Sequence, residues 1–150
     1  MSPHVEKING VGLLIMKWLG LRGGKVPGLD ALKGRLVLAV EEQSPVHGAL
    51  VERALTEAGA RLAGPFNSCN DAVSWLETNT PELAVLDVAL GDEPCAEVAR
   101  ELRQNGIPFV VFSTFSREDA PPEFRNAPWI EKPAMDHLVI ALAEAARLAS

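Results

Sequence analysis

Apolar residues along this chain fall into short runs separated by stretches of helical spacing. Leu36-Val37-Leu38-Ala39-Val40, entered from Arg35, is the first run, and Glu41-Glu42 closes it. Ser44-Pro45 then opens a helix, Ser at the cap and Pro in the first turn, with Val51, Leu55 and Ala58 on one face and Gly59 as its stop. Arg61–Phe66 reads as a strand broken at Gly64-Pro65. Asn70 or Asp71 caps a second helix that runs to about Asn79, with Val73 and Leu76 inward, and Pro81 ends it. Leu83-Ala84-Val85-Leu86 is apolar throughout and bounded by turn signals, as a strand buried on both faces must be. Asp87 stands at its C-terminal end, before Val88-Ala89-Leu90 and a Gly91-Asp92 turn. Pro94 opens a third helix, with Val98 and Leu102 four apart and Gly106 as its stop. Ile107–Phe112 is the next buried strand and ends in Ser113-Thr114. The segment around Pro121-Pro122 lacks an apolar stripe and predicts at most a short, poorly anchored helix. Trp129-Ile130-Glu131 is a short strand running into Lys132-Pro133, and Met135, Leu138, Leu142 and Ala145 mark a last helix.

Strand and helix thus alternate five times, with the fourth helix weak. Such alternation implies a parallel sheet covered on both faces. Right-handed crossovers bring all the strand C-termini to one edge. In open parallel sheets, ligands bind at that edge.

Residues 1–34 differ in character. Seven glycines and Pro27 punctuate them, and beyond a short amphipathic helix around Leu13–Leu19 they read as a flexible N-terminal extension. The apolar patch Val11–Met16 is far below the roughly 20 residues of a membrane span, and no small-residue cleavage site follows it cleanly. A cytoplasmic protein without membrane contact is expected. A net charge of −6 argues against nucleic acid as the main partner, because binding phosphates takes clustered Lys and Arg. The two cysteines, Cys69 and Cys95, lie in no C-x-x-C or metal-ligand spacing and read as reduced structural thiols. His4, His47 and His137 are scattered and support no catalytic base; Trp18 and Trp75 read as structural.

The strand ends carry the chemistry. Glu41, Glu42 and Asp87 converge with Ser113, Thr114 and Lys132 on one edge. Two like charges about 4 Å apart repel by about 4 kcal/mol at an effective dielectric near 20, so three carboxylates need a cation or raised pKa values. Mg²⁺, a hard ion with oxygen ligands, suits them, and Lys132 supplies a fixed positive charge. A carboxylate beside Mg²⁺, an ammonium and a hydroxyl is equipped to attack a phosphoryl group.

This pattern resembles the response-regulator receiver domain: an acidic pair after strand one, Asp after strand three, Ser or Thr after strand four and Lys-Pro after strand five. The resemblance covers residues 35–150. It implies a flavodoxin-like, doubly wound five-stranded parallel sheet of order 2-1-3-4-5. Asp87-Val88-Ala89-Leu90-Gly91-Asp92 and Ile107-Pro108-Phe109-Val110 are similar to a subgroup of stand-alone receivers with a PFxFATG-like motif and a degenerate fourth helix. By residue, the resemblance implies that Asp87 accepts the phosphoryl group. It also implies that Glu42, with Glu41 beside it, Asp87 and the Ala89 carbonyl hold Mg²⁺, that Ser113 is the switch hydroxyl, that Lys132 contacts the phosphate and that Trp129 is the aromatic switch. Two residues depart from the pattern. Glu42 is one methylene longer than the usual Asp, and Thr114 stands where Gly or Ala is usual. The implied function is a single-domain regulator phosphorylated by a histidine kinase or phosphotransfer protein. The alternative is an unphosphorylated pseudo-receiver that works as an interaction module. Related hydrolases of the aspartyl-phosphate type carry a second acid two residues after the nucleophile, where Ala89 stands here, and no nucleotide-binding glycine motif occurs.

Overall fold

The computed structural model describes residues 29–41, 45–90 and 93–149. The helix expected at Leu13–Leu19, the flexible reading of the arm up to residue 28, the Ser44 cap, the Gly91-Asp92 turn and Glu42 lie outside them. The described chain begins with a 3-10 turn, Leu29–Leu32, and continues β1 Leu36–Val40, α1 Pro45–Glu57, β2 Arg61–Phe66, α2 Cys69–Thr78 and β3 Leu83–Leu86. After a two-residue antiparallel ladder, Ala89–Leu90 against Glu93–Pro94, come α3 Ala96–Gln104, β4 Phe109–Ser113, two 3-10 turns at Arg117–Asp119 and Pro122–Phe124, β5 Trp129–Glu131 and α4 Met135–Ala149.

The five strands form one parallel sheet in the order β2-β1-β3-β4-β5, the flavodoxin-like order expected. Strand alternation splits the core into two layers. Val37, Ala39, Leu83, Val85, Val110 and Phe112 face α1 and α4. Leu38, Val40, Ala84, Leu86, Phe109 and Val111 face α2, α3 and the 3-10 segment. Runs with both faces buried explain why these strands are apolar without a polar alternation. Leu32 is fully buried in the same layer as Leu138, Leu142 and Ala146, so the core takes in a residue ahead of Arg35. At the N-terminal edge of the sheet, Glu82 accepts the Leu36 N–H at 2.8 Å and pairs with Arg35 at 3.2 Å. The Leu36 N–H, more than Arg35, holds this carboxyl below its usual range. Among the described residues, no helix is long and apolar enough to cross a membrane.

Several local expectations are revised. The third helix starts at Ala96, not Pro94, because Pro94 is drawn into the ladder with Ala89 and Cys95 takes the N-cap position. The second helix is capped by Ser68, whose hydroxyl accepts the Asp71 N–H at 3.0 Å, so the cap lies before Asn70 and Asp71. Cys69 and Cys95 are not free thiols: they form a disulfide with Cα atoms 5.6 Å apart. The expectation failed because 26 residues of sequence separate two cysteines that α2 and α3 bring side by side.

The break at Gly64-Pro65 has a geometric cause. The β1–β2 register runs Leu38 to Ala63 and then Val40 to Phe66, leaving Gly64 and Pro65 together opposite Ala39. Gly64 has φ +100°, and a Cβ there would lie 2.6 Å from the Phe66 N and 2.7 Å from the Ala39 O. Gly64→Ala is therefore expected to lower stability by about 2 kcal/mol or more in urea unfolding. A loss below about 0.5 kcal/mol would mean that the two strands part freely there.

Candidate functional site

The C-terminal edge of the sheet is built by the ladder itself. Val40 pairs with Leu86, so the next residues, Glu41 and Asp87, lie side by side. The Asp87 N–H donates to the Val40 carbonyl at 2.8 Å, and the Glu41 N–H donates to the Phe66 carbonyl at 2.9 Å. Ser113 pairs with Glu131, and the Lys132 N–H donates to the Ser113 carbonyl at 3.0 Å. Four polar side chains are thereby carried into buried positions: Glu41 at 1% exposure, Asp87 at 3%, Ser113 at 0% and Lys132 at 8%.

Lys132 joins the two carboxylates. Its Nζ donates to Asp87 Oδ2 at 2.8 Å and pairs with Glu41 Oε1. It also lies 5.6 Å from the centre of the Phe112 ring. Burial works to lower the lysine, but its hydrogen bonds to Asp87 and Glu41, and their charges, outweigh burial and hold the ammonium above the usual lysine range. Lys132 is therefore charged at every physiological pH. The peptide between Lys132 and Pro133 is cis.

Ser113 and Trp129 are linked on the same side. Ser113 Oγ accepts the Phe115 N–H at 3.1 Å, and the Phe115 carbonyl accepts the Trp129 indole N–H at 3.0 Å. Trp129 is half-buried, with the Arg117 guanidinium 6.0 Å from its ring centre. Thr114 between them is exposed. Phe115 was not singled out from sequence. Its role rests on its backbone, for which residue type carries no signal.

Glu41, Asp87 and Lys132 are thus brought together, with Ser113 one strand away. Among the described residues, no group of three His, Cys, Asp or Glu side chains converges on one point. Glu42 lies outside those residues. The donor chemistry nevertheless suits a hard divalent cation, because Glu41 and Asp87 bring two buried carboxylates side by side at the strand ends. An apolar groove of about 900 Å³ between α4 and the starts of β4 and β5 is lined by Ile107, Phe109, Ile130, Ile140 and Leu148. It contains neither Asp87 nor Lys132, so the candidate chemistry is not there.

No family model matches the chain. The transcriptional regulatory protein PdtaR of Mycobacterium tuberculosis is 30% identical over 105 residues, 69% of this chain and 51% of PdtaR. The chain spans about half the length of the curated relatives it matches. Among solved structures, the response regulator PhyR from Brucella abortus has a TM-score of 0.68 at 18% identity, covering 81% of this chain and 51% of PhyR. A response regulator receiver protein from Sinorhizobium medicae has a TM-score of 0.65 at 20% identity, covering 79% of this chain and 99% of that one. With the strand order and the sequence relatives in agreement, the chain carries a response-regulator receiver domain.

Proposed function

We propose that this receiver domain accepts a phosphoryl group on Asp87 from a histidine kinase or a phosphotransfer protein and passes the signal on by protein contact. The observation that carries the reading is a buried aspartate at the C-terminal end of the central strand, held at 2.8 Å by a buried lysine. An Asp87 Oδ atom forms the bond to phosphorus while the nitrogen–phosphorus bond of the donor histidine breaks. The electron pair stays on the imidazole, which takes a proton from solvent. The Lys132 ammonium, already on Asp87, can turn one donor to a phosphoryl oxygen. The Ser113 hydroxyl, whose oxygen accepts the Phe115 N–H, can donate its own O–H to another. Mg²⁺, held by Glu42 with Glu41, Asp87 and the Ala89 carbonyl, would supply positive charge to the transferring oxygens. Catalysis is then mostly positioning and charge neutralisation.

The 3% exposure of Asp87 favours one rival, an unphosphorylated module that works by contact alone. Acetyl phosphate with Mg²⁺ decides between them. Intact mass should rise by one phosphoryl group in the wild type and not in Asp87→Asn. A wild type that never gains mass makes the domain a pseudo-receiver, and equal labelling of both proteins puts the acceptor elsewhere.

A further inference from the structure

Outside the carboxylate site, the described residues hold one other group with covalent chemistry of its own, the Cys69–Cys95 disulfide. It joins two loops of the same edge. Cys69 is the first residue of α2, just after β2. Cys95 is the N-cap residue of α3 and ends the connection that starts at Asp87. The chain from Asp87 to Cys95 is thus fixed at one end by β3 and at the other by the bridge. Among the described residues in between, backbone pairing includes the two-residue ladder of Ala89–Leu90 with Glu93–Pro94.

We propose that Cys69–Cys95 is a redox-active disulfide, reduced by a dithiol, whose state sets the freedom of the Asp87–Cys95 connection and so the access of a phosphoryl donor to Asp87. The last clause rests on the function proposed above; the rest does not.

The two sulfurs are unequal. Cys69 is half-buried and Cys95 is 4% exposed, so an incoming thiolate meets Cys69. Its attack forms a mixed disulfide with the Cys69 Sγ and expels the Cys95 Sγ as a thiolate. That thiolate is released at the N-terminus of α3, where Cys95 makes no side-chain capping hydrogen bond and the helix N–H groups favour an anion. The second thiol of the reductant then attacks its own sulfur in the mixed disulfide and releases the Cys69 thiolate, also at a helix N-terminus. Both protein thiolates take up the two protons lost by the reductant. Two electrons pass to the protein, and the dithiol becomes a cyclic disulfide. Both cysteines border the apolar layer of α2 and α3, so attack at the more open residue, Cys69, with release at two helix N-termini, is the route by which a dithiol opens the bridge.

The consequence for the site follows from burial. A side chain exposed by 3% reacts only when its neighbours move. Val88, the next residue, is fully buried, and the bridge restrains the connection eight residues on. Reduction removes that restraint, and the ends of the connection are then held by β3 and by the start of α3 without a covalent link to α2.

The test uses the full chain, oxidised, reduced by dithiothreitol without denaturant, and as the Cys69→Ser/Cys95→Ser double variant. Maleimide mass tagging should find no free thiol in the oxidised protein and two in the reduced one. Amide exchange across residues 88–90 and 95–98 should quicken by about tenfold on reduction, and the double variant should match the reduced protein. Acetyl phosphate should label Asp87 at least about threefold faster in the reduced form. A bridge that resists dithiothreitol until the protein is unfolded would overturn the proposal. So would two thiols that never pair under oxidising glutathione, exchange that is the same in both states, or labelling at equal rates in both. If neither state labels at all, the phosphoacceptor reading fails, while thiol count and exchange still decide whether the bridge is a redox-active tether.

Discussion

Replacing Lys132 by methionine is expected to cost about 3–5 kcal/mol of stability at pH 8, because it leaves two buried carboxylates facing each other without their cation. Glu41 and Asp87 are 1% and 3% exposed and share the lysine that the substitution removes. Methionine keeps the length and apolar stem, so lost packing is a minor part of the effect. The sign of the pH dependence separates this mechanism from simple repacking. With no ammonium, the folded variant favours protonated carboxyls, so it binds more protons than its unfolded chain. Its stability must then fall as pH rises. In the wild type, the raised lysine value places the loss of the ammonium's contribution above the usual lysine range, outside the window from pH 5 to 8. Urea unfolding of both proteins at pH 5 and pH 8 should therefore give a difference that is larger at pH 8. Millimolar Mg²⁺ should recover part of it if the edge holds a divalent ion. A difference below about 1 kcal/mol, equal at both pH values, would show that water screens the carboxylates.

How far these features are legible in the sequence depends on the range of the interaction. The strands are legible because burying both faces of a parallel strand demands an apolar run, and Leu36–Val40, Leu83–Leu86 and Phe109–Phe112 are such runs. The convergence of Asp87, Ser113 and Lys132 on one edge follows from the handedness of the crossovers, with no need for side-chain detail. That Glu41 lies beside Asp87 and on Lys132 is a matter of register, which the ladder of Val40 with Leu86 sets. The cysteine pairing was illegible for a related reason. Cys69 and Cys95 are each unremarkable locally, and their proximity depends on two helices starting side by side. Composition alone, with no C-x-x-C motif, pointed the other way.

The stretch between β4 and β5 departs from its sequence pattern in one respect, and it carries the second large effect. The absence of periodicity correctly excluded a regular helix, and two 3-10 turns stand there. The segment is not poorly anchored, however. Phe124 is fully buried, and Ala120 and Ala127 beside it are exposed by only 1% and 6%. Arg103 Nε donates to the Glu123 carbonyl at 2.9 Å, Arg100 pairs with Glu123 at 3.1 Å, and Arg125 Nε donates to the Ala120 carbonyl at 2.9 Å. A single aromatic pin does the work that a helix stripe does elsewhere, and a single residue leaves no periodic trace. Phe124→Ala should therefore cost about 3–5 kcal/mol, as truncation of a buried aromatic does when the site cannot collapse onto the cavity. If the segment instead detaches as a unit, the global loss will be smaller, and exchange will quicken across residues 117–128 while the strand amides stay protected. Either result follows from the pin. The measurement that would refute it is urea unfolding within about 0.5 kcal/mol of the wild type with unchanged exchange over 117–128, since that would mean Phe124 holds nothing in place.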